Sequence, residues 1–338
     1  MHFDFSFEQR TLAESVAKIL KSFPPVTQAA PYPYDAGQPM KALAALGLFG
    51  EGEEGSPLGH TDAVAVAMEA GRTIVAAPVV EALAVAVALS GSRPDIASRL
   101  AAGEVPGVAV SGGIERIGGE LSGEAIVPHG AAAGFLLLPV AGEGARDWIL
   151  VEPGDVEAAP VETTDITSGA ARLKISGLPA PAAGNGADGM DRALRLFALA
   201  EIVGAADACL ERTVAYISER KQFGKPIGSN QAVKHMAADC AVSLEAMKAA
   251  VEYAGWALDE AQEDTAAAEE ASLALLSAAS YVGEHGRRVA ERCVQMHGGI
   301  AFTWDYGLHL PLRRILFRTA TLARMRDGRE GLAAHLLD

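Results

Sequence analysis

Three long helical segments dominate the C-terminal part of the chain. Residues 191–219, 229–260 and 266–296 are rich in alanine and carry apolar side chains at the spacing of one helix face. Because the connectors between them are short, each helix must fold back beside the one before it. We therefore predict a four-helix-type bundle, completed by shorter helices at 308–324 and 329–337.

The chain before the bundle divides into two parts of different character. Up to residue 104, five shorter segments with helical spacing predict an all-α unit, and the first opens with a capping box formed by Ser6 and Gln9. From residue 105 to about residue 184, the apolar positions come in short runs broken by glycine. That pattern is typical of a small, mostly antiparallel β domain.

The fold class predicted from these patterns is mainly α with a small β domain. The expected strands are 108–110, 121–127, 135–140, 148–151 and 171–175. The expected domains are an N-terminal all-α domain (1–104), a middle β domain (105–184) and a C-terminal helical bundle (189–338).

Composition excludes several classes of function. The formal net charge of −15 argues against nucleic-acid binding, because neutralising phosphates needs a basic surface. The three cysteines form no CxxC pair, and the eight histidines show no metal-binding spacing, so we expect reduced, buried thiols and no metal. The start of the chain lacks a signal-peptide pattern, and the apolar run 82–89 is too short to span a bilayer. We expect a cytoplasmic protein.

The connector between the first two long helices is rich in functional groups. It reads ERKQFGKPIGSNQAVK, from Glu219 to Lys234. Arg220 supplies a guanidinium suited to phosphate, Gln222 an amide and Phe223 a large apolar face. Taken alone, the stretch is more typical of an antiparallel helix corner with a solvated arginine, in which Ser229 caps the second helix.

A second motif, QMHGGIAFTWD, ends the third long helix about seventy residues later, from Gln295 to Asp305. Together the two motifs resemble the C-terminal domain of the flavin-dependent acyl-CoA dehydrogenases. The match covers 193 to about 312 with good spacing and, more loosely, the whole chain. The resemblance implies a helical domain, a β domain and a bundle in that order, in agreement with the patterns above.

The resemblance also implies an FAD site shared between subunits. In that family the flavin lies between the β domain and the bundle of one subunit, and its ADP half reaches a neighbouring subunit. The residues that would face this neighbour's flavin, here called the clamp, are Arg220, Gln222, Phe223, Gln295, Gly298 and Gly299. A guanidinium and amides suit a diphosphate, and glycines let the backbone approach it closely. Phe302 and Trp304 are equally suited to stacking on an adenine and to packing the end of the bundle.

The half of the flavin site that a subunit supplies for itself departs from the family pattern. The two stretches at the corresponding places, 107–115 and 125–135, read GVAVSGGIE and AIVPHGAAAGF and lack the family's usual polar and aromatic residues. His129 is the only side chain in the second stretch with hydrogen-bonding reach, and we expect it to be a solvated loop histidine. This half of the site looks eroded.

The catalytic base of the family has no clear counterpart. The position that aligns with it falls near Ala323 or Arg324, and Asp327 is the nearest carboxylate, a weak candidate. The family's other placement of the base falls near Leu194, and Glu201 would face elsewhere on the helix.

Three functional hypotheses remain. We favour a subunit of a heteromeric (α2β2) acyl-CoA dehydrogenase, which gives its clamp to a longer partner that holds the base. Short, base-lacking chains of this kind resemble the small subunits of bacterial enzymes that desaturate bulky or steroid side-chain acyl-CoA thioesters and pass electrons to an electron-transfer acceptor protein. The alternatives are a complete homo-oligomeric enzyme with Asp327 as base, and a non-enzymatic helical interaction protein that retains only the fold.

Overall fold

The computed structural model describes most of the chain. The described residues are 5–24, 35–50, 58–89, 91–141, 146–180, 187–261, 265–321 and 325–337. Every structural statement below concerns these residues.

Five helices precede the sheet. They are α1 (Phe7–Lys21), α2 (Gly37–Ala45), α3 (His60–Thr73), α4 (Val79–Leu89) and α5 (Pro94–Ala101). The predicted capping box is present at the start of α1. The backbone N–H of Gln9 donates to Ser6 Oγ at 3.2 Å, and the backbone N–H of Ser6 donates to Gln9 Oε1 at 2.8 Å. The N-terminal part is all-α, as the periodicity predicted.

A curled seven-stranded sheet occupies the middle of the chain. Its strands are β1 (Pro106–Val108), β2 (Ser111–Ile117), β3 (Glu120–Val127), β4 (Phe135–Ala141), β5 (Arg146–Val151), β6 (Glu157–Pro160) and β7 (Ala171–Pro179). The order along the sheet is β1-β4-β2-β3-β7-β6, and β5 pairs with β4. Most pairings are antiparallel, as predicted, but β1 and β2 both run parallel to β4.

The sequence patterns missed β2 and β6 for two different reasons. β2 contains paired glycines, which suggested a break. Instead, a Cβ on Gly112 would meet the Glu124 carbonyl oxygen at 2.3 Å, and one on Gly123 would meet the Gly113 carbonyl oxygen at 2.0 Å. The glycines therefore let β2 and β3 approach closely at a strong bend. β6 is exposed at all four positions, so it carries no alternation of apolar and polar residues.

Five helices follow the sheet. They are α6 (Ala187–Glu219), α7 (Gln231–Glu260), α8 (Thr265–His297), α9 (His309–Thr321) and α10 (Met325–Leu337). The three long helices lie where they were predicted. α3 crosses α6 at two glycines, because a Cβ on Gly71 would meet the Glu201 carbonyl oxygen at 2.1 Å and one on Gly204 would meet that of Met68 at 1.9 Å. The N-terminal helices thus pack tightly against the bundle.

One apolar core joins the helices that precede the sheet in sequence to those that follow it. This core also includes one face of the sheet. Along β4, Phe135 and Leu137 point into this core, whereas Leu136 and Leu138 point into a second cluster on the other face of the sheet. This alternation explains why β4 is apolar throughout. The predicted fold class is confirmed; the exact domain boundaries remain a prediction. No helix in the described ranges is long and apolar enough to cross a membrane.

Candidate functional site

The connector after α6 is a tight β-hairpin rather than a simple helix corner. β8 (Lys221–Gln222) pairs antiparallel with β9 (Lys225–Pro226) around Phe223 and Gly224. Both turn residues have positive φ, 51° and 80°, as a two-residue type I′ turn requires. The prediction that Ser229 caps the next helix was wrong. Asn230 occupies the N-cap of α7, without a side-chain hydrogen bond.

The side chains of the hairpin reach into solvent. Phe223 is 100% exposed, and its backbone has a positive φ, which is unfavourable for an aromatic residue. Neither its side chain nor its backbone conformation therefore adds local stability. Arg220 and Gln222 are exposed as well. Among the described residues, the Arg220 guanidinium has no hydrogen-bond or ion-pair partner.

The second motif forms the end of α8. Gly298 adopts a left-handed backbone with φ 69°, which favours glycine there. A Cβ built on Gly298 or Gly299 would meet nothing within 4 Å, so their backbone lies open to solvent. Gln295, on the last turn of the helix, is also exposed.

An aromatic cluster brings the two motifs to the same end of the bundle. Tyr216, one turn before the hairpin, stacks on His297 with ring centroids 4.4 Å apart. Tyr306 lies 6.0 Å from Tyr216, and its hydroxyl is 2.8 Å from Nε2 of His297. Arg212 donates to the Tyr306 carbonyl and lies 4.8 Å from the Tyr306 ring centroid. Residues far apart in sequence thus form one surface.

His297 holds a defined tautomer in this cluster. Its Nδ1 lies 2.8 Å from the carbonyl oxygen of Cys293, so Nδ1 donates and Nε2 accepts from the Tyr306 hydroxyl. Burial, opposed by that backbone bond and aided by the Arg212 charge, lowers the pKa of His297. The sequence analysis did not select His297, although its place inside the second motif was a usable signal.

A second set of charged residues, here called the node, is completely buried. It comprises Glu81 on α4, Asp165 on the loop after β6, Glu201 on α6, and Arg314 and Arg318 on α9. Arg314 bonds Asp165, Glu201 (2.5 Å), Thr167 Oγ1 (2.5 Å) and the Val75 carbonyl (3.0 Å). Arg318 bonds Glu201 (2.5 Å) and both oxygens of Glu81 (2.5 and 3.3 Å).

The node fixes the protonation of its carboxylates. Burial alone would raise the pKa of Glu201, but the charges of Arg318 and Arg314 hold it below the usual value. Asp165 behaves in the same way, with Arg314 and Thr167 outweighing burial. Both oxygens of Glu201 are engaged by arginines, so this carboxylate is not available to take up a proton as a catalytic base would.

His129 is buried beside the node, which contradicts the expectation of a solvated loop histidine. It is only 3% exposed, and its Nδ1 has no hydrogen-bond partner among the described residues. Burial and the nearby charges of Arg314 and Arg318 lower its pKa to about 3. In the first eroded stretch, Gly107 is also packed, because a Cβ there would meet a Leu136 side-chain carbon at 2.6 Å, whereas Ser111, Gly112 and Gly113 are exposed.

Several other predicted residues can now be placed. Trp304 is partly buried and meets His309 edge-on at 4.9 Å, whereas Phe302 is 63% exposed. Ala323, Arg324 and the Asp327 side chain lie outside the described residues. The three cysteines are free and buried, as expected, and no cluster of three metal-ligating side chains occurs in the part of the chain that the structure describes.

The part of the chain that contains both motifs matches a known family. The model described as acyl-CoA dehydrogenase, C-terminal domain, matches residues 192–330. Residues 192–330 therefore form a C-terminal domain of the acyl-CoA dehydrogenase type.

Two acyl-CoA dehydrogenases of Mycobacterium tuberculosis are similar to parts of this chain. FadE34 is 35% identical over 187 residues, which make up 55% of this chain and 25% of FadE34. IpdE2 is 37% identical over 161 residues, which make up 46% of this chain and 45% of IpdE2. The chain therefore matches less than half the length of either relative.

A solved structure extends the similarity over the whole acyl-CoA dehydrogenase fold. A variant of the Tcur3481-Tcur3483 steroid ACAD is 26% identical, with a TM-score of 0.78. The superposition covers 97% of this chain and 99% of that chain. The likeness thus includes the N-terminal helices and the sheet, which lie outside the matched C-terminal domain.

Proposed function

We propose that this chain is one subunit of a flavin-dependent acyl-CoA dehydrogenase and supplies the outer half of the FAD site to a catalytic partner chain. The observation that carries the proposal is the exposed clamp. A guanidinium, two amides and two open glycines are gathered at one end of the bundle, and the Arg220 guanidinium has no partner among the described residues. A diphosphate bound at an interface would engage these groups.

The clamp fits the ADP end of FAD. Arg220 would hold the diphosphate through its planar fork, with Gln222 and Gln295 as amide donors. The open space above Gly298 and Gly299 would let that end of the cofactor approach the backbone. The resemblance to the family supports the same assignment of roles.

The flavin-ring end does not fit this chain. In the two stretches that correspond to the ring-binding part of the family's site, Gly107 is packed against the chain's own side chains and His129 is buried, so neither offers a polar group to a flavin ring. We infer that the partner chain holds the ring and that one FAD serves each pair of unlike chains. The domain boundaries that accompany this proposal are 1–104, 105–184 and 189–338.

The reaction proposed for the assembly is α,β-desaturation of an acyl-CoA thioester. When bound, FAD would supply the acceptor for the β-hydride, and a carboxylate would remove the α-proton. In this chain Glu201 is held by two arginines, so the base is assigned to the partner. The similarity to the Tcur3481-Tcur3483 steroid ACAD supports a bulky or steroid side-chain substrate and an assembly of two unlike chains. We further propose that the assembly is α2β2 and passes its electrons to an acceptor protein.

Flavin content tests the proposal. Expressed alone, the chain should purify nearly colourless. Isolated with its partner through a tag on this chain, it should carry about one FAD per pair of unlike chains. A yellow homo-oligomer with one FAD per chain would instead support the homo-oligomeric hypothesis. In that case Asp327→Asn should slow turnover of an acyl-CoA by roughly 10²-fold or more, because the general base is lost.

Arg220→Ala tests the clamp directly. Removing the guanidinium leaves the diphosphate without its charged partner, which costs about 2–5 kcal/mol by analogy with truncated charge pairs at interfaces. FAD retention by the assembly should fall, and Arg220→Lys should fall less because it keeps the charge. If the alanine variant keeps its full FAD content, the clamp assignment fails. An assembly that neither binds FAD nor turns over any acyl-CoA would leave the non-enzymatic interaction protein as the better hypothesis.

A further inference from the structure

The hairpin that carries Arg220 has two distinct faces. Directly paired residues of an antiparallel ladder point to the same side, and neighbours along a strand alternate. Gln222 pairs with Lys225, and Lys221 pairs with Pro226. The ladder continues one step further, since the Ile227 N–H donates to the Arg220 carbonyl at 2.8 Å. Arg220, Gln222 and Lys225 therefore share one face, and Lys221 lies on the other.

The cations of the hairpin are unusual for this chain. Between residues 220 and 225 there are three basic residues and no acidic one, although the whole chain carries a formal net charge of −15. Elsewhere on the surface some basic side chains pair with carboxylates, as Lys248 does with Asp207 and Glu245. Others in the described part of the chain, such as Lys41 and Lys174, are isolated cations rather than members of a cluster. Among the described residues, neither Lys221 nor Lys225 has an ion-pair partner.

We propose that Lys225 is a further diphosphate-binding residue and that Lys221 is not. This inference rests on the proposed function, since it concerns the same bound FAD. Paired side chains across a ladder lie roughly 5 Å apart and diagonal ones roughly 7–8 Å apart. The Lys225 ammonium can therefore reach a diphosphate held by Arg220 and Gln222. It adds a mobile point charge to the rigid guanidinium fork.

Two matched substitutions test the assignment. In the tagged assembly, Lys225→Gln should raise the dissociation constant of FAD about tenfold, as expected for the loss of one charge-assisted bond. Lys221→Gln removes the same charge from the same hairpin and should change that constant less than twofold. Flavin fluorescence during dilution gives both values without an activity assay.

Competition by smaller probes locates the effect on the ligand. Once corrected for the weaker binding of FAD, the inhibition constant of ADP should rise in Lys225→Gln and that of adenosine should stay unchanged, because only ADP carries the diphosphate. Lys225→Arg should restore most of the affinity. As isolated chains, both glutamine variants should melt at the temperature of the parent chain, since the two side chains are exposed.

The results separate the two proposals. Equal effects of Lys221→Gln and Lys225→Gln, whether both small or both large, overturn the inference about Lys225, even if Arg220→Ala releases FAD. A loss that is the same for ADP and adenosine also overturns it. An assembly that retains FAD after Arg220→Ala contradicts the proposed function itself.

Discussion

The node and the clamp use the same kinds of side chain in opposite ways. In the node, Arg314 and Arg318 are 2% and 4% exposed and bond to residues from several elements. In the clamp, Arg220 is exposed and, among the described residues, has no side-chain partner. A buried guanidinium must be paired, because an unpaired buried charge is very costly. An exposed one can stay hydrated until a ligand arrives.

This contrast separates stability from function in the chain. The node joins α4, α6, α9 and the loop after β6, so its bonds hold the N-terminal helices, the sheet and the bundle together. The clamp joins nothing within the described chain and is free to bind outside it. Substitutions in the node should therefore affect the isolated chain, whereas substitutions in the clamp should affect the assembly.

The largest expected effect comes from breaking the node. Arg314→Met keeps much of the volume but leaves Asp165 and Glu201 without one of their cations. We expect the free energy of unfolding of the isolated chain to fall by about 3–5 kcal/mol, the usual cost of removing one partner of a buried ion pair. Urea denaturation followed by circular dichroism measures it, with Arg313→Met as control, because Arg313 is only partly buried and lies outside the node. A loss below about 1 kcal/mol would show that the node contributes little.

A smaller effect is expected at Asp259, which is intermediate in burial between the node and the clamp. Its carboxylate, on α7, accepts hydrogen bonds from the N–H groups of His60 (2.6 Å) and Thr61 (2.9 Å) at the start of α3. Asp259→Ala should cost about 1–2 kcal/mol, as loss of a helix cap does. Burial alone would raise the pKa of Asp259, but these bonds lower it. The stability that the Asp259 charge contributes is therefore fully present above the pKa that this carboxyl has in the unfolded chain. It is lost as the pH falls through the lower pKa of the folded chain.

Urea denaturation of Asp259→Ala at pH 7 and at pH 3 tests both parts of this prediction. The difference from the parent chain should be large at pH 7 and smaller at pH 3. Glu260→Ala, at the exposed neighbouring position, provides the control. A difference that does not depend on pH would mean that the charge of the carboxylate is irrelevant to capping.

Much of this architecture could be predicted from the sequence, and the failures have physical causes. Long periodic helices and the apolar β4 carry strong local signals. β2 was missed because glycines that allow a close bend look like a strand break. The clamp residues were selected through the resemblance of two motifs at helix ends to a known family, and their chemical types fit the role it implies. The node was not, since its five members are spread from Glu81 to Arg318, and only the fold brings them together.

His129 illustrates the same limit. Its local sequence, between proline and glycine, suggested a loop in solvent, and no local pattern indicates that it is buried near Arg314 and Arg318 of α9. The hairpin conformation was also hidden, because Phe223 is a poor residue for a position with positive φ. Such a disagreement between sequence and local geometry is expected where a residue is kept for binding.

His129 also gives a pH-dependent effect. Its pKa is lowered to about 3 by burial and by the charges of Arg314 and Arg318, with Asp165 acting in the opposite direction. The unfolded chain binds a proton below about pH 6.5 that the folded chain does not, so acid destabilises the fold. Asparagine tolerates the left-handed backbone at this position, so His129→Asn removes the proton-binding imidazole and keeps the local conformation. The fall in unfolding free energy between pH 6 and 4.5 should become shallower by about 1.4 kcal/mol per pH unit.

The control for this prediction is His235→Asn, which removes an exposed histidine on α7. It should leave the pH dependence of unfolding unchanged. His297 and His309 have lowered pKa values as well and should keep part of the slope in both variants. Equal slopes for the parent and for His129→Asn would mean that His129 is protonated in the folded chain.

The smallest expected effect on the isolated chain comes from Phe223. This side chain is 100% exposed at φ 51°, so it contributes no buried area and occupies a backbone region that asparagine tolerates better. Phe223→Asn should leave the isolated chain as stable as before, or more stable by about 0.5 kcal/mol. The same change should loosen the assembly, because it removes the aromatic face that the clamp presents to the flavin and its partner. Thermal melts of the chain alone and flavin retention by the tagged assembly measure the two effects side by side. A variant that destabilises the isolated chain by more than about 1 kcal/mol would mean that Phe223 supports the fold, and the separation between node and clamp would then fail at the tip of the hairpin.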